Sequence, residues 1–298
     1  MAKGRVSIEL VIPARTRSLG TIDVRRVLPF AHRRLVGPFI FFDHFGPIVR
    51  TPDMNIDVRP HPHIALATVT YLFDGDMLHR DSIGSVQRIR PGEVNWMIAG
   101  RGIVHSERTP PELRNVSGQV HGIQSWVALP TENEECEPRF DHHPMATIPQ
   151  VSRAGIEMRV VAGTAYGATS PVTTLTPTLY VHAELESGAT LEVDSDHAER
   201  AAYVVAGGVR SDDRAFGPGD MIVFRPESNA SVSATERTTV MLVGGAKIDG
   251  TRHIEWNFVS SSKERIERAK ADWRSRRFPP IPGDDDEFIP LPADDTPR

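Results

Sequence analysis

Glycine and proline recur along the whole chain, 23 and 24 times, and the runs between them are short and rich in β-branched and aromatic residues. Proline removes a backbone donor and blocks helix interiors, while glycine supplies the positive φ of tight turns. A chain punctuated in this way has room for many short strands and few long helices. The runs Phe39–Phe45, Ala67–Phe73, Val94–Ile98, Val120–Leu129, Met158–Ala162, Ala201–Val205, Met221–Phe224 and Thr239–Val243 read as strands. Gly75-Asp76 and Gly92 mark turns between them. The expected class is all-β. One helix is predicted over residues 261–277: Ser260-Ser261-Ser262 supply possible N-caps, Ser261 standing three residues before Glu264 as in a capping box, Ile266, Ala269 and Trp273 form an apolar stripe, and Pro279-Pro280 stop it. The acidic run Asp284–Glu287 in the Pro-rich tail beyond is expected to be solvated.

A length of 298 residues suits one large or two medium domains, and an internal repeat favours two. Tyr71-Leu72-Phe73-Asp74-Gly75 is echoed by Tyr203-Val204-Val205-Ala206-Gly207, and Pro91-Gly92-Glu93-Val94 by Pro218-Gly219-Asp220-Met221. The prolines 130, 138, 144 and 149 place the boundary between 130 and 155, dividing the chain into 1–140 and 141–298. With 39% apolar residues the chain can bury a core, and no run approaches the roughly 18 apolar residues of a membrane span. The first residues carry charges and no signal-peptide core, so a cytoplasmic protein without membrane contact is expected. Cys136 is the single cysteine, which precludes an internal disulfide, and Glu134, Glu135 and Glu137 around it disfavour a thiolate. A net charge of −5, with 30 arginines and 4 lysines scattered rather than clustered, argues against direct nucleic-acid binding.

The chemistry is concentrated in two pairs. His61-Pro62-His63 places two imidazoles at i and i+2, which on a strand share one face. His105-Ser106-Glu107, after the Gly100-Arg101-Gly102 turn, offers a second such pair. Alone, a His-x-His is a weak signal. Together the pairs offer three imidazoles and a carboxylate, a set that suits a first-row divalent metal and leaves two of six octahedral positions open. Of the other histidines, His32, His142, His143 and His253 are expected to be exposed, His44 to pack among aromatics, and His79 and His121 to lie on strands nearby.

Pro60-His61-Pro62-His63, Thr68 through Leu72, His79-Arg80-Asp81-Ser82, Arg90-Pro91-Gly92, Trp96-Met97, Ala99 through Gly102, His105-Ser106-Glu107 and the later Trp256-Asn257-Phe258-Val259 resemble the signature of the pirin family. That resemblance covers nearly the whole chain. It implies a bicupin: two tandem antiparallel β-barrels of jelly-roll type with a short C-terminal helix. It also implies one divalent metal held by His61, His63, His105 and Glu107, iron(II) foremost, with manganese, nickel, cobalt, copper or zinc as alternatives. Many pirins keep a Glu four residues after the His-x-His, where this chain has Ala67, which puts a pocket carboxylate in question. Projecting the pairs through the repeat lands on Val193, Ser195, Val232 and Ala234, so the second barrel is expected to be structural, although His197 lies close by.

Two functions follow as expectations from the resemblance. One is a quercetin 2,3-dioxygenase-like enzyme acting on a flavonol-like aromatic and O2, with Glu107 as general base. The other is a non-enzymatic iron-dependent redox sensor or co-regulator that binds a protein partner.

Overall fold

The structure, a computed structural model, describes residues 6–20 and 22–293. It is a strand-built chain with one α-helix among the described residues, and it divides into two compact units. One unit comprises the described parts of 1–44 with 143–248, the other 45–142 with 249–293. The division into 1–140 and 141–298 follows the sequence repeat, whereas each compact unit is made of two separated segments.

The unit around residues 45–142 has two antiparallel sheets. The larger runs in the order Arg139–His143, Val94–Ile98, Leu66–Asp74, Gly118–Ala128 and then the end of Phe39–Arg50. The smaller runs Val58–His63, Ile103–Arg108, Met77–Asp81, Val86–Ile89. The other unit repeats the plan. Its small sheet has the order Thr190–Glu192, Ser231–Ala234, Val209–Ser211, Arg214–Phe216, and its large sheet is centred on Glu199–Ala206, Thr238–Gly245 and Thr178–Leu185. The double antiparallel barrel expected from the sequence is therefore present, and each of the eight strands read from it lies within or overlaps an observed strand.

Alternation does the work within these strands. In Leu66–Asp74 both faces are buried, so the run is nearly all apolar or hydroxylic rather than alternating with charge. In the other unit, Ile156, Met158 and Val160 alternate with half-exposed or exposed partners and join a core that includes Val181, Leu191, Val204, Phe216 and Val232.

The helix spans Lys263–Arg274, shorter than 261–277. Its N-cap is Ser262, whose hydroxyl accepts from the Arg265 amide, and not Ser261, whose amide and hydroxyl are engaged by the buried Glu134 carboxylate. Ile266, Ala269 and Trp273 are buried as the stripe predicts, against Ile64, Val104, Phe258 and Ile281. Burying a side chain the size of Ile266 contributes roughly 1.5–3 kcal/mol, and the Ala269 methyl about 0.8 kcal/mol. The helix is thereby seated on the residues that directly follow His63 and precede His105.

Candidate metal centre

Strands Val58–His63 and Ile103–Arg108 pair antiparallel, with His105 opposite His61 and Ile103 opposite His63. The turn feeding the second strand depends on Gly100, whose φ is +47° and where a Cβ would collide with the Cys136 carbonyl oxygen. This register brings three imidazoles together: ring centroids are 5.0 Å apart for His61 and His63, 4.3 Å for His61 and His105, and 5.0 Å for His63 and His105. One ring nitrogen from each lies within 4.8 Å of the others, and all three residues are buried.

Their orientation is set by backbone carbonyls. His61 Nδ1 lies 2.9 Å from the Arg59 oxygen and His63 Nδ1 2.9 Å from the Asn257 oxygen, so each Nδ1–H donates outward and leaves Nε2 as a lone pair. His63 Nε2 and both ring nitrogens of His105 are buried without a protein partner. An unpaired buried nitrogen costs the protein about 1–3 kcal/mol, and three imidazoles converging in this way form the donor set of a first-row divalent cation. Burial pushes the His61 pKa down to about 4 and those of His63 and His105 well below the ordinary value, with neighbouring imidazoles adding to the effect. The trio is therefore neutral at pH 7, the protonation state a ligand needs.

Glu107 does not join the trio within that distance. Its Oε1 is 3.8 Å from His105 Nδ1 and accepts a 2.9 Å bond from Gln124 Nε2, whose own Oε1 accepts a 2.7 Å bond from Thr70 Oγ1. Burial raises its pKa to about 7 against the lowering effect of the Gln124 bond. Across the smaller sheet, His79 stands opposite Glu107 and Asp81 opposite His105. His79 Nε2 lies 2.9 Å from Asp81 Oδ2, and its ring stacks on Phe140 at 4.3 Å. Burial raises the Asp81 pKa, but the bonds from His79 and Ser85 outweigh it and hold it below the usual carboxylate range.

Gln124 and Phe140 went unnoticed in the sequence, and Thr70 and Asp81 appear there only within the pirin-like signature, without a role. The available signal was register, since Thr70 is the cross-strand neighbour of Gln124. Trp126, opposite Thr68, contacts the His63 ring edge-on at 5.0 Å, so Thr68 and Thr70 share the face toward the histidines. Ala67 therefore points to the opposite face of that sheet, and Thr68 occupies the inward position. Of the remaining histidines, His44 packs as expected, with Nδ1 2.8 Å from the Tyr203 hydroxyl. His142, expected to be exposed, is half-buried with Nδ1 2.8 Å from Asn95 Oδ1. Burial raises the Cys136 pKa, with Glu137 and Glu135 adding to it.

Asp285, Asp286 and Glu287 of the acidic run are exposed, as expected, but Asp284 is half-buried and the run is anchored. Asp284 accepts from Ser106 Oγ at 2.6 Å and from Arg108 Nη2 at 2.6 Å, and Glu287 accepts from Arg108 Nη1 at 2.8 Å. The Ile289 amide donates to the Pro60 oxygen, Arg80 Nη1 to the Gly283 oxygen and Trp273 Nε1 to the Ile289 oxygen. Residues 60, 80, 106 and 108 alternate with the site residues 61, 79, 81, 105 and 107. The tail is thus a strap across the outer face of the strands that carry the site.

In the other unit, Leu191 stands opposite Val232 as His61 stands opposite His105. The counterparts of the four residues are then Leu191, Val193, Val232 and Ala234, two residues away from the sequence projection on the first strand. All four are buried in the apolar core of that unit.

Comparison with known proteins agrees with this geometry. Residues 21–127 match the Pirin family and residues 180–279 match the Pirin C-terminal cupin domain. A pirin-like protein of Caulobacter vibrioides is 52% identical over 288 residues, covering 96% of this chain and 99% of its own. Pirin-1 of Arabidopsis thaliana is 30% identical over 267 residues, covering 85% of this chain and 88% of its own. The crystal structure of a quercetin 2,3-dioxygenase from Acinetobacter baumannii superimposes with a TM-score of 0.89 at 30% identity, covering 98% of this chain and 97% of that one. No helix among the described residues is long and apolar enough to cross a membrane. With both halves matched in order and a relative aligned almost end to end, the chain belongs to the pirin family.

Proposed function

We propose that His61, His63, His105 and Glu107 hold one divalent transition metal, iron(II) foremost, and that the chain is a dioxygenase acting on a flavonol-type aromatic with O2. The observation that carries this reading is the convergence of three buried, neutral imidazoles, with His63 Nε2 and both His105 ring nitrogens lacking a protein partner. The likeness to a quercetin 2,3-dioxygenase gives the reaction class. When bound, the metal would act as a Lewis acid toward a hydroxyl-ketone and bring the substrate and O2 together.

The remaining steps belong to the chain's own side chains. Glu107, held by Gln124 and raised to about 7, is matched to accept a proton near neutral pH, the condition under which a general base is most effective. Its partner Gln124 is itself fixed by Thr70, so the amide presents Nε2 and not Oε1 to the carboxylate. The stacked pair of His79 and Phe140 supplies a flat apolar wall beside the histidines. Burial of the three histidines, Glu107, Thr70 and His79 keeps bulk water away from the reacting centre.

Oxygen uptake by iron-loaded protein with a panel of flavonols tests the reading. Flavonol-dependent uptake that vanishes on metal removal is the expected result. No uptake with any flavonol would sink it and move the redox-sensor role, with a protein partner, ahead.

A further inference from the structure

Asn95, Thr70 and Gln124 are direct cross-strand neighbours and form a lateral row on one face of the larger sheet. The bond from Gln124 to Glu107 fixes that face as the one turned toward the histidines. At the far end of the row Asn95 is only 4% exposed. Its Oδ1 is held by His142 Nδ1 at 2.8 Å, while its Nδ2 is buried with no partner. His142 and Phe140 lie two apart on the strand Arg139–His143, and Phe140 stacks on His79. Polar and aromatic groups therefore share one inward-facing surface, with an unused amide donor at its end.

A buried donor is normally satisfied, and one left open beside a candidate active centre is suited to an acceptor that arrives with a ligand. Two inter-strand steps separate Asn95 from Gln124, about 10 Å. A small chelating acid or a single phenol cannot span that distance, whereas a fused and substituted aromatic can. We propose that Asn95 forms a distal substrate subsite, where Nδ2 donates to a peripheral oxygen of an elongated, polyhydroxylated aromatic whose other end lies at the histidines. This rests on the reading of an aromatic substrate given above, and it adds a residue that selects among such substrates.

The test compares two flavonols by titration calorimetry on iron-loaded protein under argon, where turnover cannot occur. Quercetin carries peripheral hydroxyls; 3-hydroxyflavone keeps the hydroxyl-ketone but lacks them. Asn95→Leu is expected to weaken quercetin binding by about tenfold, the scale of one lost hydrogen bond to a neutral acceptor, and to leave 3-hydroxyflavone binding unchanged. Asn95→Asp, which keeps the size and the oxygen facing His142 but removes the donor, should give the same split. Retained 3-hydroxyflavone binding also reports that each variant is folded. Equal losses for both ligands, no loss for either, or no quercetin binding to the wild-type protein would overturn the proposal. Oxygen uptake in air is read separately: quercetin binding without uptake removes the dioxygenase reading and leaves the subsite standing.

Discussion

Acidifying the metal-free protein should destabilise it in a window fixed by the site. The three histidines are buried neutral, His61 with its pKa lowered to about 4 and His63 and His105 with theirs well below the ordinary value. Unfolded, each titrates near 6.5, so as pH falls below that value the unfolded chain takes up three protons the folded chain refuses. Glu107 opposes them. Its folded pKa of about 7 exceeds the ordinary glutamate value of 4.5, so the folded chain holds a proton there that the unfolded chain releases between those values. Stability from Glu107 is therefore present in acid and lost as pH rises through 7. Three protons against one leave a difference of about two near pH 5.5, a slope of roughly 2.5 kcal/mol per pH unit. Chelator-stripped protein should be unfolded in urea at pH 5.5, 6.5 and 7.5, with the free energy rising with pH. Glu107→Gln removes the opposing proton, so the difference rises to nearly three protons and the slope should steepen to roughly 3.7 kcal/mol per pH unit. A stripped protein whose stability is flat or falls across this range would refute the protonation states assigned to the histidines.

Three further outcomes follow. Replacing His61 and His63 together by Ala should abolish metal retention by elemental analysis while leaving the circular dichroism spectrum of a β protein. Glu107→Gln should lower metal content modestly but slow flavonol-dependent oxygen uptake by roughly 10²-fold or more, the scale of a lost general base; an unchanged rate would place the base elsewhere. Asp284→Ala should speed metal release into a chelator severalfold and make that rate insensitive to salt, because the bonds from Ser106 and Arg108 are lost.

What the sequence made legible was whatever depends on neighbours along the chain. Strand alternation, glycine and proline punctuation, the helix stripe and the two i, i+2 pairs are local, and each reappears in the structure. The single-residue slip of the helix cap from Ser261 to Ser262 shows the limit: three consecutive serines offer equivalent local chemistry, and Glu134, more than a hundred residues away, chooses among them. Gln124, Asp81 and Asn95 were illegible for the same reason, because their partners come from other strands and depend on register. The acidic run is largely exposed as expected, but its anchoring through Asp284 was not legible because Arg108, its counter-charge, is distant in sequence and adjacent only after the smaller sheet has formed. The segments of the compact units follow from such pairings as well: residues 8–13 find their partners at 220–224.

The bond from His63 to the Asn257 carbonyl has a consequence for biosynthesis. All three histidines leave the ribosome long before residues 249–293, which complete their unit. Until that segment arrives, His63 lacks the acceptor that fixes its tautomer, and the helix that packs behind Ile64 and Val104 does not yet exist. A nascent chain thus carries His61 beside its own acceptor, the Arg59 carbonyl, but His63 without one. If the site holds a metal as proposed, its selection would be a property of the finished polypeptide, decided by the metal pool met after release.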